Sequence, residues 1–170
     1  MTGLLTSLRE SRRLLNFVAG LYCAGLLGYG YYLQFHDGLD PCPLCIFQRI
    51  AFLGTGLLFF AAAAQAPGRI GSRIYAILIT LAGLTGAGIA GRHLWLQSLP
   101  PDRVPECGPG LEYMLEVFPL TETLKMVFTG SGECAEVSWT FLGLSMPGWA
   151  LLNFLGLVAA GILLNWRTAD

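Results

Sequence analysis

The side chains best suited to chemistry in this sequence are sulfurs. Two of its five cysteines stand as Cys42-Pro43-Leu44-Cys45. A pair separated by two residues can close a small disulfide ring, and its reactivity follows thiolate character, tuned by a helix N-terminus and nearby cations. Pro43 is a natural first-turn residue, which puts Cys42 near an N-cap and Cys45 inside the first turn of a following helix. Arg49 falls four residues past Cys45, on the same face. A permanently charged guanidinium there favours a thiolate at Cys45 and an anionic acceptor species beside it. The helix dipole favours Cys42 as the acidic thiol instead; the full charge of Arg49, on the membrane side, carries more weight. A purely structural bridge is the competing reading, but so small a ring constrains little of the unfolded chain. Arg49 read alone is equally an interfacial anchor.

Cys107 and Cys134 enclose a long loop, for which a structural bridge is physically reasonable. Their setting argues for more. Cys107 is flanked by Pro105, Gly108 and Pro109, and Cys134 follows Gly130-Ser131-Gly132, so a disulfide there is expected in mobile, exposed surroundings open to an outside thiolate. Cys23, in mid-span, reads as a small buried hydrophobe. His36 is a loop histidine with no evident partner. His93 and Gln97 share a helix face just past the third apolar stretch, where interfacial anchoring competes with a place in the site.

The elements that must position these groups are apolar helices. Charge-free stretches run from Leu14 to Phe35, Ile50 to Gly68, Ile74 to Gly91 and Val137 to Trp166, in a chain 54% hydrophobic and 12% charged. Each supplies the roughly 20 residues that cross a bilayer core of about 30 Å. Residues 1–170 are therefore expected to form one integral membrane domain, with spans at roughly 14–35, 47–66, 74–92 and 147–166. Arg9, Arg12 and Arg13 precede the first span as in a signal peptide, but its apolar core is too long and no small-residue cleavage site follows Leu33, so it is expected to be retained. The tails and the Gln65 to Arg73 loop hold Arg9, Arg12, Arg13, Arg69, Arg73 and Arg167 against Glu10 and Asp170. The other side holds Arg49, Arg92, Arg103 and Lys125 against nine acidic residues. The positive-inside rule then places both termini in the cytoplasm and loops 36–46 and 93–146 outside, with four of the five cysteines. In a bacterium that compartment is oxidising, so those four can form disulfides.

Small residues recur at four-residue spacing in Gly20, Ala24 and Gly28, in Gly83, Ala87 and Gly91, and in Gly156 and Ala160, a pattern that lets helix backbones approach closely within lipid. In the long second loop Leu111, Met114, Leu115 and Phe118 share one helical face, and Glu112 and Glu116 another, which predicts a short amphipathic helix, on the membrane surface or packed as a lid. Ser145 before Met146-Pro147 reads as the N-cap of the fourth span.

The run Pro41-Cys42-Pro43-Leu44-Cys45-Ile46-Phe47-Gln48-Arg49 resembles the first periplasmic loop of the DsbB family of disulfide bond formation proteins. So does Ser131-Gly132-Glu133-Cys134-Ala135-Glu136, continuing through Trp139, Phe141-Leu142-Gly143-Leu144 and Met146-Pro147. The resemblance implies an all-α membrane protein, an antiparallel four-helix transmembrane bundle of the bacterial inner membrane, its long periplasmic loop carrying the short helix. It implies a quinone-dependent thiol oxidoreductase whose electron donor is a periplasmic thioredoxin-fold dithiol oxidase of the DsbA kind. The partner would attack a Cys107–Cys134 disulfide, exchange would move the electrons to Cys42–Cys45 as the loop swings on its glycines, and Cys45 beside Arg49 would meet the quinone, ubiquinone or menaquinone. His93 and Gln97 fall where the family's quinone-site residues after the third helix lie.

Several other readings are weaker. No basic cluster on the outer side points to nucleic acid. A covalent haem expects histidine directly after the cysteine pair, where Ile46 stands. A four-thiolate zinc site usually shows a second close pair, and Cys107 and Cys134 are far apart, so no metal site is expected. In the vitamin K epoxide reductase family the loop pair precedes the C-x-x-C, the reverse of the order here. A tetraspan scaffold stapled by disulfides remains the alternative without redox turnover.

Overall fold

Once lipid surrounds an apolar stretch, its backbone groups must find partners within the protein, and uninterrupted apolar runs of about 20 residues do so as helices. A computed structural model describes residues 2–104, 111–130 and 132–166, with side chains at all of these except 2–9, 101, 111–112, 115 and 128. The long helices are α1 (Thr2–His36), α2 (Pro43–Gln65), α3 (Arg69–Gln97) and α7 (Met146–Asn165). Over Glu10–His36 in α1, and throughout the other three, they are long and apolar enough to cross a membrane. Between α3 and α7 lie a 3₁₀ turn (Pro101–Arg103), α4 (Leu111–Val117), α5 (Leu120–Thr129) and the single-turn α6 (Gly132–Ala135). A short antiparallel ladder follows, β1 (Thr140–Phe141) on β2 (Leu144–Ser145). The chain is an all-α four-helix membrane bundle with one elaborated connection. Cys107 and the rest of residues 105–110, with Ser131, lie outside the described residues.

In the bundle α1 packs on α2 and α3 packs on α7. The core between them holds Phe52, Phe59, Ile79, Ala87, Ala90, Phe154 and Leu157, with the Phe52 and Phe154 rings stacked 3.9 Å apart. Close approach depends on glycine at particular points. A Cβ on Gly86 would run into the Phe154 ring, one on Gly83 into Val158, and one on Gly20 into Phe60. The small-residue stripes therefore pack in part: Gly28, Gly91 and Gly156 have open space where a Cβ would stand, and Ala24 is exposed. A period of 3.6 carries the buried face of α3 through 83, 86, 87 and 90 and leaves 91 behind.

At the end of the bundle holding the termini, buried Asn16 and Asn165 exchange hydrogen bonds of 3.3 and 2.9 Å between α1 and α7. Cys23 is 1% exposed and packs in the core, against Gly56. At the opposite, sulfur-bearing end, the connection folds back onto the bundle. Met114 of α4, Val127 of α5 and Cys134 of α6 are buried with Cys42, Leu44, Ile89 and Leu96 in a second cluster. Helix α5 had no counterpart in the sequence reading. His36 does find neighbours, an ion pair with Asp37 at 2.8 Å and a stacked Tyr32 ring. The hairpin turns at Leu142 and Gly143, both with positive φ (50° and 81°), as a two-residue turn matched to strand twist requires.

Candidate dithiol site

Helix α2 begins where Pro43, which has no N–H to leave unbonded, takes the first helical position and Cys42 the N-cap. The Ile46 N–H donates to the Cys42 carbonyl at 3.2 Å, closing the first turn and bringing the two sulfurs together. Both are thiols, and the Cys42 thiol donates to the Cys45 sulfur at 3.4 Å. One turn on, Gln48 and Arg49 leave the helix in different directions. Gln48, 5% exposed, reaches α3, where its carboxamide nitrogen is 3.1 Å from Nδ1 of His93. The other ring nitrogen, Nε2, stands 3.8 Å from Cys42 Sγ. His93 is 2% exposed and Cys42 9%, so this chain of three polar side chains is largely buried.

Arg49 turns the other way, to α1. Its Nη2 donates to the Gly30 carbonyl at 3.0 Å, its Nη1 to Gln34 Oε1, and the guanidinium lies 4.8 Å over the Tyr31 ring. Arg49 and Cys45 thus share the wall of a cavity of about 370 Å³ between α1, α2 and α7. Its outer wall is a run of flat rings, with Tyr29 against Trp139, Trp139 against Phe141 and Phe141 against Trp149. The Trp149 Nε1–H, bonded to the Phe141 carbonyl at 3.0 Å, pins the hairpin to α7. At the foot of the cavity the Tyr22 hydroxyl donates to Asn153 Oδ1.

His93 and Gln97 do not line this cavity. They border a smaller one, about 50 Å³, on the other side of the sulfur pair with Cys42, Cys45, Asp40, Glu133 and Glu136. Gln97 accepts from the Ser145 hydroxyl at 2.7 Å. Ser145 occupies the N-cap of α7 as expected, but its side chain bonds Gln97 and makes no cap bond.

Cys134 departs from expectation. The glycines before it pointed to an exposed, swinging sulfur, yet Cys134 is 0% exposed, packed in the cluster that holds Cys42. Gly130 explains the difference. It ends α5 with φ at 94°, and a Cβ there would strike Leu96, so this glycine permits close packing of the connection onto α3. Cys107 lies outside the described residues. Two groups escaped the sequence reading, Gln48 and the Tyr22–Asn153 pair. The signal was present, since polar side chains inside an apolar span are costly and cluster at functional sites.

A family model described as disulfide bond formation protein DsbB matches residues 12–164. The chain is 56% identical over 149 residues to a disulfide bond formation protein B of Hahella chejuensis, covering 88% of this chain and 90% of that one. It is 56% identical over 147 residues to the protein of that name from Methylococcus capsulatus, covering 86% and 90%. With the Nitrosococcus oceani protein of the same name it shares 52% over 160 residues, covering 94% and 93%. A dithiol at a helix start, carried on a four-helix membrane bundle and matched over nearly its whole length, places this chain in the DsbB family of disulfide bond formation proteins.

Proposed function

We propose that this chain reoxidises a thioredoxin-fold dithiol protein and passes the electrons through Cys107–Cys134 and then Cys42–Cys45 to a quinone of the membrane. One observation carries the reading: Cys45 stands on the wall of the ring-lined cavity with Arg49 and also borders the small polar cavity, where Cys42 faces His93. A relay between a soluble dithiol and a lipid-borne acceptor needs a sulfur on each side. The cavity suits a planar ring, with flat side chains along one wall, the Arg49 guanidinium at its rim and the Asn153 carboxamide at its foot. A bound quinone would supply the acceptance of two electrons and two protons.

The chain's own residues do the rest. A partner thiolate attacks Cys107, and Cys134 leaves as a thiolate. The burial of Cys134 in the cluster that also holds Cys42 favours attack on Cys42, which breaks the Cys42–Cys45 bond and leaves its electron pair on Cys45. The partner's second thiol resolves the mixed disulfide and releases the partner oxidised. Return of Cys107 to Cys134 then leaves Cys42 and Cys45 as a dithiol. Closing that dithiol again delivers two electrons and two protons. His93 is placed to hold the Cys42 proton, Gln48 fixes its ring, and Arg49 offsets negative charge at the cavity rim. The charge balance orients the bundle with its termini in the cytoplasm and its sulfurs in the periplasm, where disulfides persist.

The test is anaerobic mixing of the purified chain with a reduced thioredoxin-fold oxidase and a short-chain quinone, following quinone absorbance. Turnover is expected to vanish in Cys42→Ser and Cys45→Ser and to survive in Cys23→Ser. A stapled scaffold would keep its bridges intact under alkylation trapping while the quinone stayed oxidised, and that result would overturn the proposal.

A further inference from the structure

The geometry points to a second use of the same sulfurs: in the reduced state Cys42, Cys45 and His93 form a site for a zinc ion, and its occupancy blocks closure of the disulfide. The inference needs only that the pair exists as a dithiol and is independent of the electron acceptor. Among the described residues, the two Sγ atoms and one ring nitrogen of His93 lie within 4.8 Å of one another. The sulfurs are 3.4 Å apart, and Nε2 is 3.8 Å from Cys42 Sγ. A tetrahedral zinc with Zn–S near 2.3 Å and Zn–N near 2.0–2.1 Å spaces its ligand atoms roughly 3.5–3.8 Å apart. Those two spacings already lie within about 0.4 Å of the tetrahedral values, and the remaining one, Cys45 Sγ to His93, is no more than 4.8 Å and must close by up to about 1.3 Å as the Cys45 side chain turns toward the ring.

Two features beyond the triad support an ion there. Ligating histidines characteristically bond their second nitrogen to a polar side chain that fixes the ring and its tautomer. Gln48 occupies that position, its carboxamide 3.1 Å from Nδ1. A half-turn of the carboxamide sets its oxygen against the Nδ1–H and leaves the Nε2 lone pair facing Cys42. The second feature is the small cavity itself. Asp40, Glu133 and Glu136 border it together with the three ligands, so carboxylates line the approach of a cation. Its volume of about 50 Å³ admits a water as fourth ligand, giving the arrangement of three protein ligands and one open position known for zinc.

Binding exchanges two thiol protons for one zinc ion, with no change of oxidation state. Both sulfurs then carry metal-bound electron pairs, and disulfide closure must wait for the ion to leave. The oxidised pair offers no thiolates, so the site exists in one redox state only.

The test uses the full-length chain in detergent carrying Cys107→Ser and Cys134→Ser, which removes the second dithiol and leaves no third thiol in the cluster that holds Cys42. Cobalt(II), a spectroscopic stand-in for zinc, is titrated anaerobically into the reduced and the oxidised protein. The reduced form is expected to show thiolate-to-cobalt charge transfer and d–d bands of tetrahedral intensity, bleached by zinc; the oxidised form shows neither. Gln48→Leu should keep the bands and weaken affinity roughly 10–100-fold, and His93→Ala should weaken it at least as much. Zinc should also slow alkylation of Cys42 and Cys45 in the reduced chain, reversibly with chelator. Absence of the bands in the reduced protein overturns the site. Equal affinity in the parent and both variants also overturns it, because that would be simple dithiol chelation. Quinone turnover by the metal-free chain is measured separately, so loss of either proposal is distinguishable from loss of the other.

Discussion

Replacing Arg49 by methionine keeps an unbranched apolar stem and removes the charge and every donor. Arginine has five N–H donors. In this chain one goes to Gln34 Oε1 and one to the Gly30 carbonyl, which leaves three for a group in the cavity that Arg49 lines. A hydrogen bond to a charged group is worth about 1.5–3 kcal/mol when sheltered, and the half-buried rim argues for the lower half of that range. About 1.5–2 kcal/mol corresponds to a loss of roughly 10–30-fold in kcat/KM for the quinone. The assay varies a short-chain quinone at saturating reduced partner, so that a rise in KM reports the acceptor site and the partner step stays constant. Two companions separate charge from tethering. Arg49→Lys keeps the charge without the fork and should lose about 3–10-fold. Gln34→Leu removes one tether and should lose only a few-fold, in line with about 0.5–1 kcal/mol for an ordinary hydrogen bond. An unchanged KM in Arg49→Met, or a loss in Gln34→Leu as large as in Arg49→Met, refutes the assignment of Arg49 to the acceptor.

Gly86→Ala should destabilise the bundle by about 1–3 kcal/mol through overpacking, because its Cβ meets the Phe154 ring; an unaltered thermal midpoint in detergent would contradict that packing. Asn16→Leu and Asn165→Leu should each cost about 1 kcal/mol by taking the donor from the other carboxamide's oxygen, while that carboxamide's nitrogen keeps its bond to its own helix backbone. The double variant should then recover part of the loss in an unfolding titration, whereas strictly additive losses would show that the two side chains act separately. Alkylation of Cys134 in the folded, reduced chain should lag that in the unfolded chain by more than about tenfold, since the fully buried thiol reacts only after local opening. Equal rates would mean that α6 does not pack as described.

What was legible in the sequence was local. Cys42, Pro43 and Cys45 are set by one helix start, and Arg49 by one further turn, so spacing alone placed them together. The partners of these residues lie 15 to 51 positions away: Gln34 for Arg49, and His93 for Gln48 and Cys42. Which of them meet depends on how far each helix is rotated about its own axis, and an apolar stretch wet by lipid on one side and packed on the other does not announce that angle. The cavity is harder still to foresee. Its outer wall comes from a two-residue hairpin and the first turn of α7, joined through Trp149 and the Phe141 carbonyl.

The glycine before Cys134 shows why the remainder stayed hidden. A glycine lowers the cost of motion and lowers the cost of close approach, and the sequence gives the same letter for both. Here the neighbour decides: Leu96 fills the space a Cβ would take on Gly130, and φ at 94° excludes most other residues. The turn therefore delivers Cys134 into the cluster of Cys42, Leu96 and Val127. For the proposed relay this alters which motion matters. With Cys134 already buried in the cluster that holds Cys42, the exchange between the two pairs calls for a rearrangement near α6 rather than a long swing of the connection. The step that calls for access from outside is then the attack of the partner on Cys107.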